Sequence, residues 1–131
     1  SKTQAIADQY SKYTVLSNLK VNGNLTLGEN IADIGGLAIA YQAFKMTKQG
    51  QSTEKIDGLS PDQRFFLSFA QAFRGKNRDE VTRQLISIDV HSPEIHRVNG
   101  SVSNNEAFYR AFNIKPGDKM YRPENERVRI W

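Results

Sequence analysis

Apolar residues recur three and four positions apart over most of the chain, which is the spacing of one face of an α-helix. The longest such stretch begins at Thr26 and ends between Lys48 and Gly50, and it carries no charge between Asp33 and Lys45. Four further helices are predicted over residues 2–13, 59–73, 76–89 and 102–112. The pattern predicts a mostly α-helical chain.

The starts of four helices carry recognisable signals. In a capping box, a Ser or Thr is followed three residues later by Glu or Gln, and the two side chains satisfy backbone N–H groups of the first turn. The sequence predicts boxes at Thr26 with Glu29, Ser60 with Gln63 and Ser103 with Glu106, and a simple cap at Asn77.

Two segments break the helical pattern. In residues 89–100, "DVHSPEIHRVNG", Pro93 excludes helical geometry at Ser92, and we expect an irregular loop. The tail "ERVRIW" alternates apolar and polar residues, as a short strand or an extended segment does.

The long helix has two acids near its start, Glu29 and Asp33, and they allow two interpretations. In the first, Glu29 completes the capping box and Asp33 is a surface acid that favours the helix N-terminus. In the second, the helix is packed on all sides, because Gly35 and Gly36 cost about 1 kcal/mol each unless close packing offsets them. Carboxylates on a packed face need a cation, a donor or a metal.

Composition narrows the protein class without deciding between these interpretations. The chain has 131 residues, 38% of them apolar, no internal repeat and no Cys, so one domain with a real core is expected and the redox compartment cannot be read. The 18 basic and 14 acidic residues are dispersed along the chain, which argues against a nucleic-acid partner. No apolar run approaches the length of a membrane span.

Five blocks, in order and without large gaps, resemble the neprilysin and endothelin-converting enzyme family of zinc endopeptidases. The first, "NGNLTLGENIADIGGLAIAYQAF", contains the family's G-E-N-x-A-D motif. The others are "FFLSFAQAFRGK", "DVHSPEIHRVNG", "FYRAFNIKPGDKMY" and the terminal "IW". The resemblance implies the helical C-terminal part of a thermolysin-like catalytic domain, and the absence of Cys suggests a bacterial-type member.

The resemblance also implies roles for the two acids. Glu29 occupies the position of the third protein ligand of one catalytic zinc ion, beside two His of an upstream H-E-x-x-H helix. Asp33 occupies the position of the acid that accepts a hydrogen bond from a zinc-bound His ring. Gly36 and Ala40 would then allow that helix to approach closely.

The remaining site residues follow from the same resemblance. His91 matches the His that donates to the developing oxyanion, and Asp89 would orient its ring. Arg97 matches the Arg that binds a backbone carbonyl of the peptide substrate. Ala72 and Phe73 stand where relatives line the pocket for the residue after the scissile bond. His96 has no matching role and is expected to be a surface residue.

The sequence contains no H-E-x-x-H motif, so two zinc ligands and the general base are missing from it. We therefore expect a fragment, residues 1–131, that is inactive and does not bind zinc without the upstream part of its own chain. The alternative is a non-catalytic helical interaction module on the same scaffold. An extracytoplasmic location is expected from the family alone.

Overall fold

Seven α-helices and one short hairpin are present in the computed structural model, which describes all 131 residues. Helices α1 to α7 span Lys2–Ser11, Leu27–Lys45, Lys48–Gln51, Pro61–Ala72, Asp79–Ile88, Glu94–Val102 and Glu106–Phe112. Strands β1 (Thr14–Leu16) and β2 (Leu19–Lys20) pair antiparallel between α1 and α2, and a 3₁₀ turn covers Glu124–Glu126. The predicted mostly helical class is confirmed, whereas the hairpin was not predicted.

Helix α2 contributes to both hydrophobic cores of the molecule. Ile34 belongs to the first core, with Ile6 and Tyr10 of α1 and Val128 of the tail. Leu37, almost one helical turn later, belongs to the second, which includes the following residues of α4, α6 and α7: Phe66, Val102 and Ala107. Since both cores depend on α2, the acids in its first two turns are held on a fixed element.

The end of α2 differs from the prediction. The helix stops at Lys45 rather than between Lys48 and Gly50, because Thr47 adopts an extended conformation. The Thr47 hydroxyl accepts a hydrogen bond from the Gly50 N–H (3.0 Å) and caps the separate short helix α3.

Helix α2 begins after Thr26 as predicted; of the predicted capping signals of α4, α5 and α7, one is confirmed and two are wrong. Ser60 and Gln63 form the predicted capping box of α4. Helix α5 begins after Arg78, which makes no side-chain cap, so Asn77 is not the capping residue. Helix α7 is capped by Asn105, whose side chain accepts from the Ala107 N–H, while Ser103 bonds backward to the Gly100 carbonyl.

The predicted loop over residues 89–100 is irregular only at its start. Pro93 keeps Ser92 out of helical geometry as expected, but α6 begins directly after the proline. The steric effect of proline falls on the residue before it, and its own fixed φ is compatible with a helix start. Arg97 therefore lies on a helix, and only residues 89–93 form the loop that carries Asp89 and His91.

The tail is extended but pairs with no strand. Its Val128 is buried, and the Val128 N–H donates to Asn104 Oδ1 (2.8 Å). The amide of Asn104 also donates to Gln9 Oε1 of α1 (2.9 Å), so a buried amide pair ties α1 to the tail. None of the helices is both long and apolar enough to cross a membrane.

Candidate functional site

The first turn of α2 does not contain the predicted capping box. The Thr26 side chain makes no cap hydrogen bond; its hydroxyl donates to the Asn22 carbonyl (3.0 Å) and accepts from Asn30 Nδ2 (2.9 Å). The Glu29 carboxylate therefore takes no part in a capping box. Its side chain is 41% exposed and points toward the loop that carries His91.

His91 lies between two carboxylates. Its Nδ1 is 2.8 Å from Asp89 Oδ1, and its Nε2 is 3.2 Å from Glu29 Oε2. The same Asp89 oxygen accepts the backbone N–H of His91 (2.8 Å). That backbone hydrogen bond, together with the one to the ring, lowers the pKa of Asp89 below its ordinary value. Asp89 is thus held ionised and fixes the orientation of the ring.

Asp33 forms a bidentate ion pair with Arg97 of α6. Arg97 Nε donates to Asp33 Oδ2 (2.7 Å) and Nη2 donates to Oδ1 (2.8 Å), with side-chain exposures of 21% and 11%. The bond to Asp33 raises the pKa of Arg97 above its ordinary value. The guanidinium also lies 4.7 Å from the centroid of the Phe73 ring. Within this chain the partner of Asp33 is therefore Arg97.

These contacts decide between the two interpretations of the acids. Glu29 is not a capping residue, and Asp33 is not a free surface acid, since each meets a cationic or titratable partner from the segment around residues 89–97. The second interpretation is correct for the partners of the acids. The face with Gly36 and Ala40 is exposed in this chain, and its packing against an upstream helix stays a prediction.

Two cavities adjoin these residues. The larger, about 520 Å³, is lined by Asp89, His91 and Arg97 together with side chains of the hairpin and α5. A shallower groove of about 330 Å³ runs between α2 and α4 and is lined by Gly36, Ala40 and Ala72. Ala72 therefore faces the groove, whereas the adjacent Phe73 packs under Arg97; the two predicted pocket residues have different surroundings.

The chain by itself does not provide a complete metal site. No group of three or more His, Cys, Asp or Glu side chains is arranged to hold a metal ion. Glu29 can offer one carboxylate, of which Oε2 meets His91 while Oε1 makes no hydrogen bond or ion pair within the chain. A catalytic zinc ion requires three protein ligands, so the residues present do not fit zinc unless others are added.

Sequence reasoning missed several residues around the site. Asn30 and Ser92 are buried and hydrogen-bonded to each other (2.8 Å), and only the position of polar residues beside Glu29 and His91 could have signalled this. His96 is not the expected surface residue. It is half-buried on α6, and its ring stacks on that of Tyr13 with a centroid distance of 4.6 Å and an interplanar angle of 4°. Burial lowers the pKa of His96.

The sequence is similar to those of known proteins over nearly its whole length. The chain is 40% identical over 134 residues to neprilysin-3 of Drosophila melanogaster and 42% identical over 133 residues to endothelin-converting enzyme 1 of Bos taurus. Each alignment covers 99% of this chain but only 17% of the relative.

Two solved structures have the same fold over 99% of this chain. The zinc metalloprotease Zmp1 of Mycobacterium tuberculosis superposes with a TM-score of 0.94 at 39% identity, and PepO of Lactobacillus rhamnosis with 0.83 at 35%. This chain corresponds to 21% and 19% of those two chains. Residues 1–128 match the model of peptidase family M13, and the chain belongs to that family.

Proposed function

We propose that this chain is the part of a zinc metalloendopeptidase that supplies one metal ligand and the groups that bind the peptide and its transition state. Glu29 is the ligand, His91 and Arg97 contact the substrate, and Asp89 and Asp33 orient these two side chains. The observation that carries the proposal is the contact of Glu29 with His91, two residues 62 positions apart in the sequence. The ion pair between Asp33 and Arg97 supports it.

Zinc, when bound, acts as a Lewis acid and lowers the pKa of a coordinated water. We propose that Glu29 Oε1, which has no partner in this chain, faces the metal. The two other ligands would come from His residues of an H-E-x-x-H helix in the upstream part of the protein. Asp33 uses two of roughly four acceptor positions on Arg97, so it keeps capacity to accept from one of those His rings.

The substrate roles follow from the donors that a peptide could reach. Nε2 of His91, which faces Glu29 Oε2 in this chain (3.2 Å), would turn to donate to the oxyanion that develops on the scissile carbonyl, while Asp89 holds Nδ1 of the ring. Arg97 binds Asp33 through Nε and Nη2 only, and its Nη1 is left to donate to a peptide carbonyl. Ala72 and Phe73 would border the side-chain pocket. The substrate class is therefore peptides.

The alternative, a non-catalytic interaction module, gives no reason for this arrangement. A scaffold alone does not require a half-exposed His between two carboxylates. An extracytoplasmic location of the whole enzyme remains part of the proposal, on the resemblance alone.

The proposal is tested by Glu29→Ala in the intact enzyme. We expect the variant to lose zinc and peptidase activity together, because removing one of three ligands undoes a catalytic zinc site. Glu54→Ala, which removes an exposed carboxylate, is the matched control and should keep both. Bound zinc is measured by elemental analysis and activity with a fluorogenic peptide. A Glu29→Ala enzyme with stoichiometric zinc and normal cleavage would refute the assignment.

A further inference from the structure

A buried chain of hydrogen bonds joins α2 to the loop of residues 89–93, directly behind the candidate site. Ser92 Oγ donates to Asn30 Oδ1 (2.8 Å), and Asn30 Nδ2 donates to Thr26 Oγ1 (2.9 Å). The Thr26 hydroxyl then donates to the backbone carbonyl of Asn22 (3.0 Å). Ser92 and Thr26 are each 3% exposed and Asn30 is fully buried.

The donors in this series of hydrogen bonds all point the same way, from Ser92 through Asn30 and Thr26 to Asn22, and this order fixes the orientation of each side chain. The Asn30 oxygen can only accept and its nitrogen can only donate, so a flipped amide would face Thr26 with an acceptor. The hydroxyls of Ser92 and Thr26 and the amide of Asn30 all have hydrogen-bond partners, and all three side chains are buried. A fully satisfied buried network of this kind holds its members in one arrangement.

This series of hydrogen bonds lies next to the candidate site, because two of its members are sequence neighbours of site residues. Asn30 follows Glu29 directly, and Ser92 follows His91 directly. The other polar contact between this loop and α2 is the Glu29–His91 contact, in which both side chains are about two-fifths exposed. The bond between Asn30 and Ser92 is thus the buried tie that sets the distance between the two functional side chains.

We propose that Asn30 and Ser92 are positioning residues, which hold His91 at its place relative to Glu29 and the reacting carbonyl. This inference rests on the proposed function, because it assigns His91 a role in the transition state. It adds two residues that touch neither metal nor substrate. Their effect is transmitted through the backbone of the loop.

Loss of the hydrogen bond between Ser92 and Asn30 should lower kcat. Ser92→Ala leaves Asn30 Oδ1 buried without its donor and frees the loop from α2. A misplacement of about 1 Å can cost up to ~100-fold in a catalysed step. We expect Ser92→Ala in the intact enzyme to lower kcat about 10-fold, with little change in KM and with zinc retained, since the metal ligand is not altered.

The decisive measurement is a double-mutant cycle with His91. His91→Ala should lower kcat by ~100-fold or more, because it removes a donor that acts in the transition state. If Ser92 acts through His91, adding Ser92→Ala to His91→Ala should lower kcat no further. A residue that only stabilises the fold would cost the same factor in both backgrounds.

Two matched variants define the control. Ser103→Ala removes a serine hydroxyl of equal burial, 3% exposed, which donates to the Gly100 carbonyl away from the site. It should lower the melting temperature and leave kcat unchanged. Ser92→Thr keeps the hydroxyl and should recover most of the kcat that Ser92→Ala loses.

A second variant keeps the test open should Ser92→Ala not fold. Thr26→Val preserves shape and removes the acceptor for Asn30 Nδ2, so kcat should fall a few-fold in the wild-type background and not at all in His91→Ala. The positioning role is overturned by wild-type kcat in the foldable variants, or by equal losses in both backgrounds. If His91→Ala itself keeps wild-type kinetics, the proposed function and this inference both fall.

Discussion

At the scale of single residues, the site is built from side chains that satisfy one another before any ligand is considered. Asp33 and Arg97 meet in a two-point ion pair, and His91 bridges Asp89 and Glu29. A planar guanidinium matches a carboxylate in this way and keeps further donors free. The arrangement therefore combines local stability with unused donors and acceptors on the cavity side.

Arg97→Ala in the intact enzyme should chiefly raise KM, because the substrate carbonyl that we propose it binds is already present in the ground state. Arg97→Lys should rescue little, since a point charge cannot reproduce two parallel bonds to Asp33. Steady-state kinetics with one peptide substrate measure both effects. The prediction is wrong if KM stays normal while kcat falls.

Arg97→Ala should also cost about 1–3 kcal/mol of unfolding free energy, because it leaves the 11% exposed Asp33 side chain without its donors. Adding Asp33→Asn separates the two effects. In the chain without further protein, where Asp33 meets only Arg97, the double variant should regain stability, as no buried charge remains. Denaturant titration beside the kinetics would show whether the two losses are in fact independent.

His96 should make the fold less stable in acid. Burial against Tyr13 lowers its pKa in the folded state, whereas in the unfolded chain it titrates near its ordinary value of about 6.5. The neutral ring therefore contributes stability above about pH 6.5, and this contribution is lost as the pH falls through the lowered folded pKa. His96→Phe keeps an aromatic ring for the stack and should flatten the melting-temperature profile between pH 7.5 and 5. An unchanged profile would contradict this origin.

At the scale of elements, α2 is the organising helix, and its two adjacent glycines have different surroundings. A Cβ on Gly35 would overlap the indole of Trp131, so glycine is required for the tail to lie against the helix. A Cβ on Gly36 would meet nothing within 4 Å. The close packing expected at this pair is therefore real at Gly35, and its partner is the last residue of the chain.

The two glycines provide a matched pair of substitutions. Gly36→Ala should stabilise the chain by up to about 1 kcal/mol through helix propensity, whereas Gly35→Ala should lose this gain or more because Trp131 must move. Trp131 is the only Trp of the sequence, so its fluorescence reports on the displacement directly. Emission should change in Gly35→Ala and not in Gly36→Ala. The same stability and emission in both variants would disprove the packing argument.

At the scale of the whole molecule, the chain has small cores and large uncovered apolar side chains. Helix α5 buries none of its residues, and Met46, Ile88 and Ile95 are 81%, 65% and 63% exposed. The chain also spans 17–21% of the length of the relatives named above.

The chain without further protein should neither retain zinc nor cleave peptides, because it has no group of three side chains arranged to hold a metal ion and a catalytic zinc needs three protein ligands. Zinc content after dialysis and cleavage of a fluorogenic peptide test this. Glu29→Ala in the same chain is the control and should be indistinguishable from the parent. Stoichiometric zinc that disappears in the control would show that the chain builds a site of its own.

The sequence by itself determined the features that depend on near neighbours in the chain. The helical class, the capping box at Ser60 and the extended tail follow from spacing over a few residues, which local backbone energetics enforce. The resemblance of five blocks was also sufficient to indicate the family that the chain belongs to. The helix boundaries at Lys45 and Glu94 were missed because Thr47 and Pro93 can each end one segment and begin another.

Only the tertiary structure decided which side chains meet. The spacing of Thr26 and Glu29 predicts a capping box. In the structure the Thr26 hydroxyl instead accepts a hydrogen bond from the buried Asn30, and Glu29 contacts His91. Likewise, the Asp33–Arg97 ion pair joins positions 64 apart, and no local pattern encodes such a distance. The physical reason is that a polar side chain bonds whichever partner packing brings within about 3 Å once water is excluded. Packing of α2 against α6 and the loop before it made that choice.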